Sequence, residues 1–141
     1  MKVRNGYYLL AGVLAVLFAV THAWNGHSAV LPALDSRGIS LETRTVFTYV
    51  WHIVTAENLV FGIAFLLLSF QQDRTKSRYA AWTIAALLLV RLAVIVGVTA
   101  WFDRSALTDT MVDSLAIVLY VVLILLGTGQ RRKRSGVQTL P

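Results

Sequence analysis

The stretch Val46–Phe70, VFTYVWHIVTAENLVFGIAFLLLSF, decides the fold. As a helix rising ~1.5 Å per residue it is long enough to cross a hydrocarbon core of ~30 Å. It also carries His52, Glu57 and Asn58, three groups that hydrocarbon excludes. An ionisable group at membrane depth costs a few kcal/mol on insertion scales, so it normally faces a partner helix or a water-filled cavity. A single segment thus sets both an architecture and a place to look for a site.

Three more segments share its character: Tyr7–Trp24, Tyr79–Trp101 and Ala106–Gly127. Hydrophobic residues make up 57% of the chain and charged residues 14%, against roughly a quarter charged in soluble domains. The segments lack the polar outer face that a soluble bundle needs at helical spacing. The expected fold is therefore all-α, an integral membrane four-helix bundle in a single domain over residues 1–141. Residues 25–45 are expected as an outer loop and 128–141 as a basic cytoplasmic tail. The first segment has a rival reading as a signal peptide, with Lys2 and Arg4 before an apolar run and Thr21-His22-Ala23 as a small-x-small cleavage site. Four spans, even in number and consistent in flanking charge, are the preferred reading.

The formal net charge is +6, and its placement reads as topology. Lys2, Arg4, Arg74, Lys76, Arg78 and the run Arg131–Arg134 hold nine of the 13 basic residues on one side. Only Arg37, Arg44 and Arg104 fall on the other, with Arg91 inside a span. Positive-inside bias then predicts a multi-pass protein of the cytoplasmic (inner) membrane, N-in and C-in. The Arg131–Arg134 run also fits a patch for anionic lipid or nucleic acid; a topology anchor is the simpler account, and nucleic acid is not an expected partner. Membrane lipids are, followed by other membrane proteins or a second copy of the chain. The absence of cysteine excludes disulfides, thiolate metal sites and thiol redox chemistry.

Helical periodicity assigns faces. Ala11, Ala15, Ala19 and Ala23 recur every four residues beside Gly12, a surface on which another helix can approach closely. Ala86, Ala93, Gly97 and Ala100 form a similar face on the third span, with Arg91 nearly opposite. On the second span Thr48, His52, Thr55, Asn58, Gly62 and Ser69 make one polar stripe, and Glu57 lies off it by more than a quarter turn. The fourth span aligns Asp109, Asp113, Ala116, Tyr120 and Gly127. Ser28–Leu34 is apolar but too short to span, and is expected to lie in the interface or fold back as a lid. The four tryptophans and most tyrosines fall near span ends as an interfacial belt.

Depth brings these groups together. Glu57 and Arg91 fall near the midplane and are expected to pair, since each relieves the other's burial. His52 lies level with Asp113, below Asp109, and a carboxylate beside an imidazole could relay protons or sense pH. With His22 near the outer boundary, the candidate polar pocket is His22, His52, Glu57, Asn58, Arg91, Asp109 and Asp113. It opens outward, because the inner half is nearly pure hydrocarbon. No cofactor is expected. The alternatives are a metal held by imidazoles and carboxylates, a quinone, or a haem between His22 and His52, but the spacings match no ligand motif. CxxCH, HExxH, GxSxG and P-loop patterns are absent.

The plan resembles the DoxX-like group of small bacterial membrane proteins. That group has four spans in a similar length, a small-residue-rich first helix ending near His and Gly, and an Arg in a later helix. Here the corresponding pieces are Ala11–His22 with Gly26, and Arg91. The resemblance implies the four-span layout. The group is functionally mixed, with some members linked to quinone-coupled sulfur oxidation, so it implies no particular reaction. The leading expectation is a non-enzymatic accessory or interaction subunit whose polar cluster stabilises the bundle. The alternative is a redox or proton-coupled transport component using the outward pocket.

Overall fold

The computed structural model describes residues 2–35 and 38–130, and the described chain is helical with short connections. Helix α1 is Gly6–Asn25, α2 Leu31–Asp35, α3 Leu41–Phe70, α4 Arg74–Phe102 and α5 Met111–Gly129. Four stretches, Gly6–Leu34, Leu41–Phe70, Arg74–Phe102 and Met111–Gly129, are long and apolar enough to cross a membrane. Arg37 and the run Arg131–Arg134 lie outside the described residues.

Side chains start three of the four long helices, α5 having no side-chain cap. Asn5 Oδ1 accepts from the N–H groups of Tyr7 and Tyr8 (3.1 and 3.2 Å), Ser40 Oγ from Thr43 (3.2 Å), and Asp73 Oδ1 from Thr75 and Lys76 (3.0 and 3.1 Å). Each caps donors that have no partner in the first turn. The helical path continues beyond the end of α1 at Asn25. A π-helical turn, Gly26–Val30, carries it into α2. Pro32 has no N–H to offer the ladder, and the Ser28 hydroxyl donates to Trp24 O (2.8 Å) within the widened turn. Much of the expected loop 25–45 is therefore helical, up to Asp35 and again from Leu41.

The helices associate as two pairs. The α1–α3 interface is the most extensive, α4 packs on α5, α1 also packs on α5, and α3 scarcely touches α4. Ala11, Ala15 and Ala19 are buried on α1, as their spacing predicts. A Cβ on Gly12 would lie 2.8 Å from Leu66 N, and one on Gly62 would lie 2.7 Å from Val16 Cγ2. Small residues that admit close packing of this kind are what apolar helices in a bilayer use to associate. The small face of the third span behaves otherwise. Helix α4 packs through Ser77, Ala81, Ile84, Ala85 and Leu88, while Ala86, Ala93 and Gly97 are exposed. Packing through that face was the wrong expectation, because Ile84 and Leu88 meet the other helices on a different side.

The core sits at one end. Tyr8, Phe61, Phe65, Ala81, Ala85, Val121 and Ile124 belong to one buried cluster, with Phe65 placed between Tyr8 and Tyr120 at ring distances of 5.5 and 6.2 Å. The same end is tied by hydrogen bonds. Arg4 N and Asn5 N donate to Ser69 O (2.9 and 3.1 Å), Asn5 Nδ2 to Gly127 O (2.9 Å), and Arg74 Nη1 to Gln130 O (2.6 Å). Lys2, Arg4, Arg74, Lys76 and Arg78 cluster there, so it is called the basic end below. Toward the opposite end the pairs part: no residue of α4 from Arg91 onward is buried, nor any of α5 before Val121.

Candidate functional site

Where the two helix pairs part, a cavity of about 530 Å³ opens, walled by α1, α3, α4 and α5. Its walls are mostly aliphatic and aromatic, including Leu14, Phe18, Val54, Leu88, Ile95 and Leu123, with His22, Asn58, Arg91, Asp113 and Tyr120 among them. A mostly apolar recess with a few converging polar groups is the usual form of a small-molecule site.

Arg91 anchors it. Its Nη2 is ion-paired with Glu57 Oε2, and its Nη1 donates to Asn58 Oδ1 (3.1 Å). Neighbouring residues on a helix diverge by about 100°, so one guanidinium fork spans both side chains. Although Glu57 lies off the polar stripe that holds Asn58, both side chains meet the same residue of α4. These are the sole side-chain hydrogen bonds between α3 and α4 among the described residues. The pair is only partly buried, with Arg91 18% and Glu57 37% exposed, whereas Asn58 is 6% exposed.

His22 belongs to a ring stack. Its imidazole lies 4.2 Å from the Trp51 ring at an interplanar angle of 5°, flanked by Phe18 and Phe47. Trp51 Nε1 donates to His22 O (3.1 Å). Gly26 makes room for it, since a Cβ there would fall 2.0 Å from Nε1. The π-helical turn thus seats an indole that composition alone would assign to the interfacial belt.

Three buried polar atoms on residues of this wall have no hydrogen-bond partner: His22 Nε2, Asn58 Nδ2 and Tyr120 Oη. Leaving such an atom unmade costs ~1–3 kcal/mol, and native interiors hold few of them. Arg91 has five N–H groups, of which two serve Glu57 and Asn58. The wall is therefore rich in donors, with Glu57 offsetting the guanidinium charge.

Of the remaining expected site residues, Asp113 belongs to the cavity wall, whereas His52 and Asp109 lie elsewhere. His52 lines a shallow groove along α3 with Arg44, Thr48 and Tyr49, so it does not share the cavity with Asp113 or His22. From His52 to Asn58 the helix turns by about 600°, leaving the two roughly 120° apart. The threonines of that stripe satisfy themselves: Thr48 Oγ1 donates to Arg44 O (2.8 Å) and Thr55 Oγ1 to Trp51 O (3.2 Å). Asp113 sits exposed in the first turn of α5, where a carboxylate suits the helix dipole. Asp109 is exposed in the turn before it, outside any helix. No group of three His, Asp or Glu gathers among the described residues.

Sequence reasoning passed over Tyr120 and Trp51. The usable signal for Tyr120 was that it is the lone hydroxyl in an otherwise hydrocarbon half of its span. Comparison of this four-helix chain with family models, with curated proteins and with solved structures found no match.

Proposed function

We propose that this chain is a multi-pass membrane protein that binds a small amphipathic molecule in the cavity between its two helix pairs. The supporting observation is that Asn58 Nδ2, His22 Nε2 and Tyr120 Oη are buried without partners on residues that line an apolar cavity large enough for a ring or short lipid. The polar head belongs beside Asn58, Arg91 and Tyr120, and the tail along Leu14, Phe18 and Leu123. A head that accepts hydrogen bonds suits these donors: a carboxylate, an ester, or the carbonyls of a quinone. The proposed role is binding, with no reaction assigned. The concentration of Lys2, Arg4, Arg74, Lys76 and Arg78 at one end supports an N-in, C-in orientation in the inner membrane.

The reading is tested with protein in phosphatidylcholine nanodiscs, melted in the presence of decanoate, a decyl-benzoquinone or decylamine. Acceptor-headed molecules should raise the midpoint, and Asn58→Leu should abolish that shift. An equal shift from decylamine, or a shift untouched by Asn58→Leu, would rule the reading out.

The accessory-subunit reading has one observation of its own. Ala86, Ala93 and Gly97 form an exposed small-residue side of α4, and a Cβ on Gly97 would meet nothing within 4 Å. Such a surface suits close approach by another membrane helix. Disulfide trapping through Gly97→Cys in this cysteine-free chain would detect a second copy there; monomer alone at membrane concentrations would leave no self-association to explain.

A further inference from the structure

A second recess, of about 430 Å³, lies at the basic end among Arg4, Tyr8, Gln71, Arg74, Thr75 and Arg78, where α1, α3, α4 and α5 meet. Among the described residues its lining holds three guanidinium groups and no carboxylate. The nearest acid in sequence, Asp73, caps α4 and lies 3.7 Å from Lys76 Nζ. The carbonyl ends of α3 and α5 also point this way, but each helix end carries only about half a charge. One of those carbonyls, Gln130 O, already accepts from Arg74. The recess is therefore strongly positive.

A second observation points to what fills it. Tyr8, one of the lining residues, is 2% exposed, and its buried hydroxyl has no hydrogen-bond partner. A tyrosine buried this deeply normally finds an acceptor for its O–H. Three arginines and an unmatched O–H donor call for an anion with several acceptor oxygens. Phosphate has that form, and guanidinium groups bind it through paired N–H bonds. Tyr7 and Tyr79 are exposed at the same level, as in the aromatic belt that marks the headgroup layer.

We propose that this recess binds a phosphate group, supplied by the head of an anionic phospholipid in the adjoining leaflet. Basic pockets between membrane helices are suited to such heads. The site is independent of the cavity at the other end and of what that cavity binds.

The test is native mass spectrometry of the purified full chain with phosphatidylglycerol, cardiolipin or phosphatidylcholine added in equal amounts. Wild type should retain an anionic lipid about tenfold more tightly than phosphatidylcholine, as expected for hydrogen bonds to a charged group. Arg4→Gln with Arg78→Gln should erase the preference, and Arg104→Gln at the opposite end should leave it intact. Tyr8→Phe keeps the ring packing and removes only the hydroxyl, so it should weaken retention even if the arginine variant fails to fold. Displacement of the lipid by millimolar inorganic phosphate would support the phosphate chemistry. Binding of inorganic phosphate with no lipid preference would assign the site to soluble phosphate and overturn the lipid source. No anionic preference and no phosphate binding in wild type, or a preference unchanged in the folded arginine variant, would overturn the proposal.

Discussion

Arg91 of α4 and Glu57 of α3 join two helices that otherwise scarcely touch. With Asn58 as second acceptor, the guanidinium bridges the α1–α3 pair to the α4–α5 pair at the wall of the cavity. Removing one partner of a buried pair strands the other charge and typically costs ~3–5 kcal/mol. The partial exposure of Glu57 places this case near the lower end. Glu57→Gln or Arg91→Leu alone should lower the thermal midpoint in detergent, and the double variant should recover much of the loss. If the double variant loses as much as the sum of the singles, the charges do not stabilise one another.

The close approach of α1 and α3 gives a second test. A side chain on Gly12 must displace Leu66, backbone included, since its Cβ would lie 2.8 Å from Leu66 N. Gly12→Val should therefore destabilise by about 1–3 kcal/mol, the usual cost of overpacking. Gly97→Ala, with open space around its Cβ, should be neutral or stabilise by roughly 0.5–1 kcal/mol through helix propensity. Chemical denaturation of both variants in the same detergent checks the contrast; equal losses would mean that α1 and α3 are not so closely packed.

The span pattern carried the number of long helices and the packed alanines of α1. It did not carry the rotation of α4, because its small face and its Ile84–Leu88 face are equally plausible seams in a uniformly apolar helix. Nor did it carry the π-helical turn that follows α1, where Gly26 leaves room for Trp51. Among the site residues, Glu57, Asn58 and Arg91 stand out because they are polar at mid-span. His52 looked equivalent, but level depth alone does not determine which way a side chain faces. Tyr120 is marked only as the lone hydroxyl in the hydrocarbon half of its span, and its place in the cavity wall needs the tertiary arrangement.

Gly26 and Trp51 form a lock that spectroscopy can read. A methyl group at Gly26 would fall 2.0 Å from Trp51 Nε1, so Gly26→Ala should expel the indole and break its hydrogen bond to His22 O. The near-ultraviolet circular dichroism from the His22–Trp51 stack should weaken, while the far-ultraviolet helix signal should hold. An unchanged near-ultraviolet spectrum would mean that the indole does not depend on that glycine.

Asp103 caps the 3-10 turn Arg104–Leu107 at the end opposite the basic cluster. Hydrogen bonds from the Ser105 hydroxyl and N–H hold its carboxyl below the ordinary carboxylate value. A depressed folded-state pKa means that the ionised cap contributes above the unfolded value and is lost as pH falls through the folded one. Because the carboxylate is fully exposed, the effect should be local. Amide exchange at Ser105 should quicken as pH drops well below about 4, relative to the acid trend of other turn amides. Asp103→Asn should flatten that response, and an unaltered response in the variant would remove the cap from the account.

The most direct measurement concerns the cavity. Ala116 lies in its wall within one turn of Asp113 and Tyr120 on α5, so Ala116→Phe should fill the space while leaving the Glu57–Asn58–Arg91 bridge between α3 and α4 in place. Wild type and variant are purified from native membranes, and their organic extracts are quantified by mass spectrometry. The account predicts an amphipathic molecule with an acceptor head at about one per wild-type chain, reduced at least tenfold in the folded Ala116→Phe variant. Extracts of identical composition from the two proteins would contradict it.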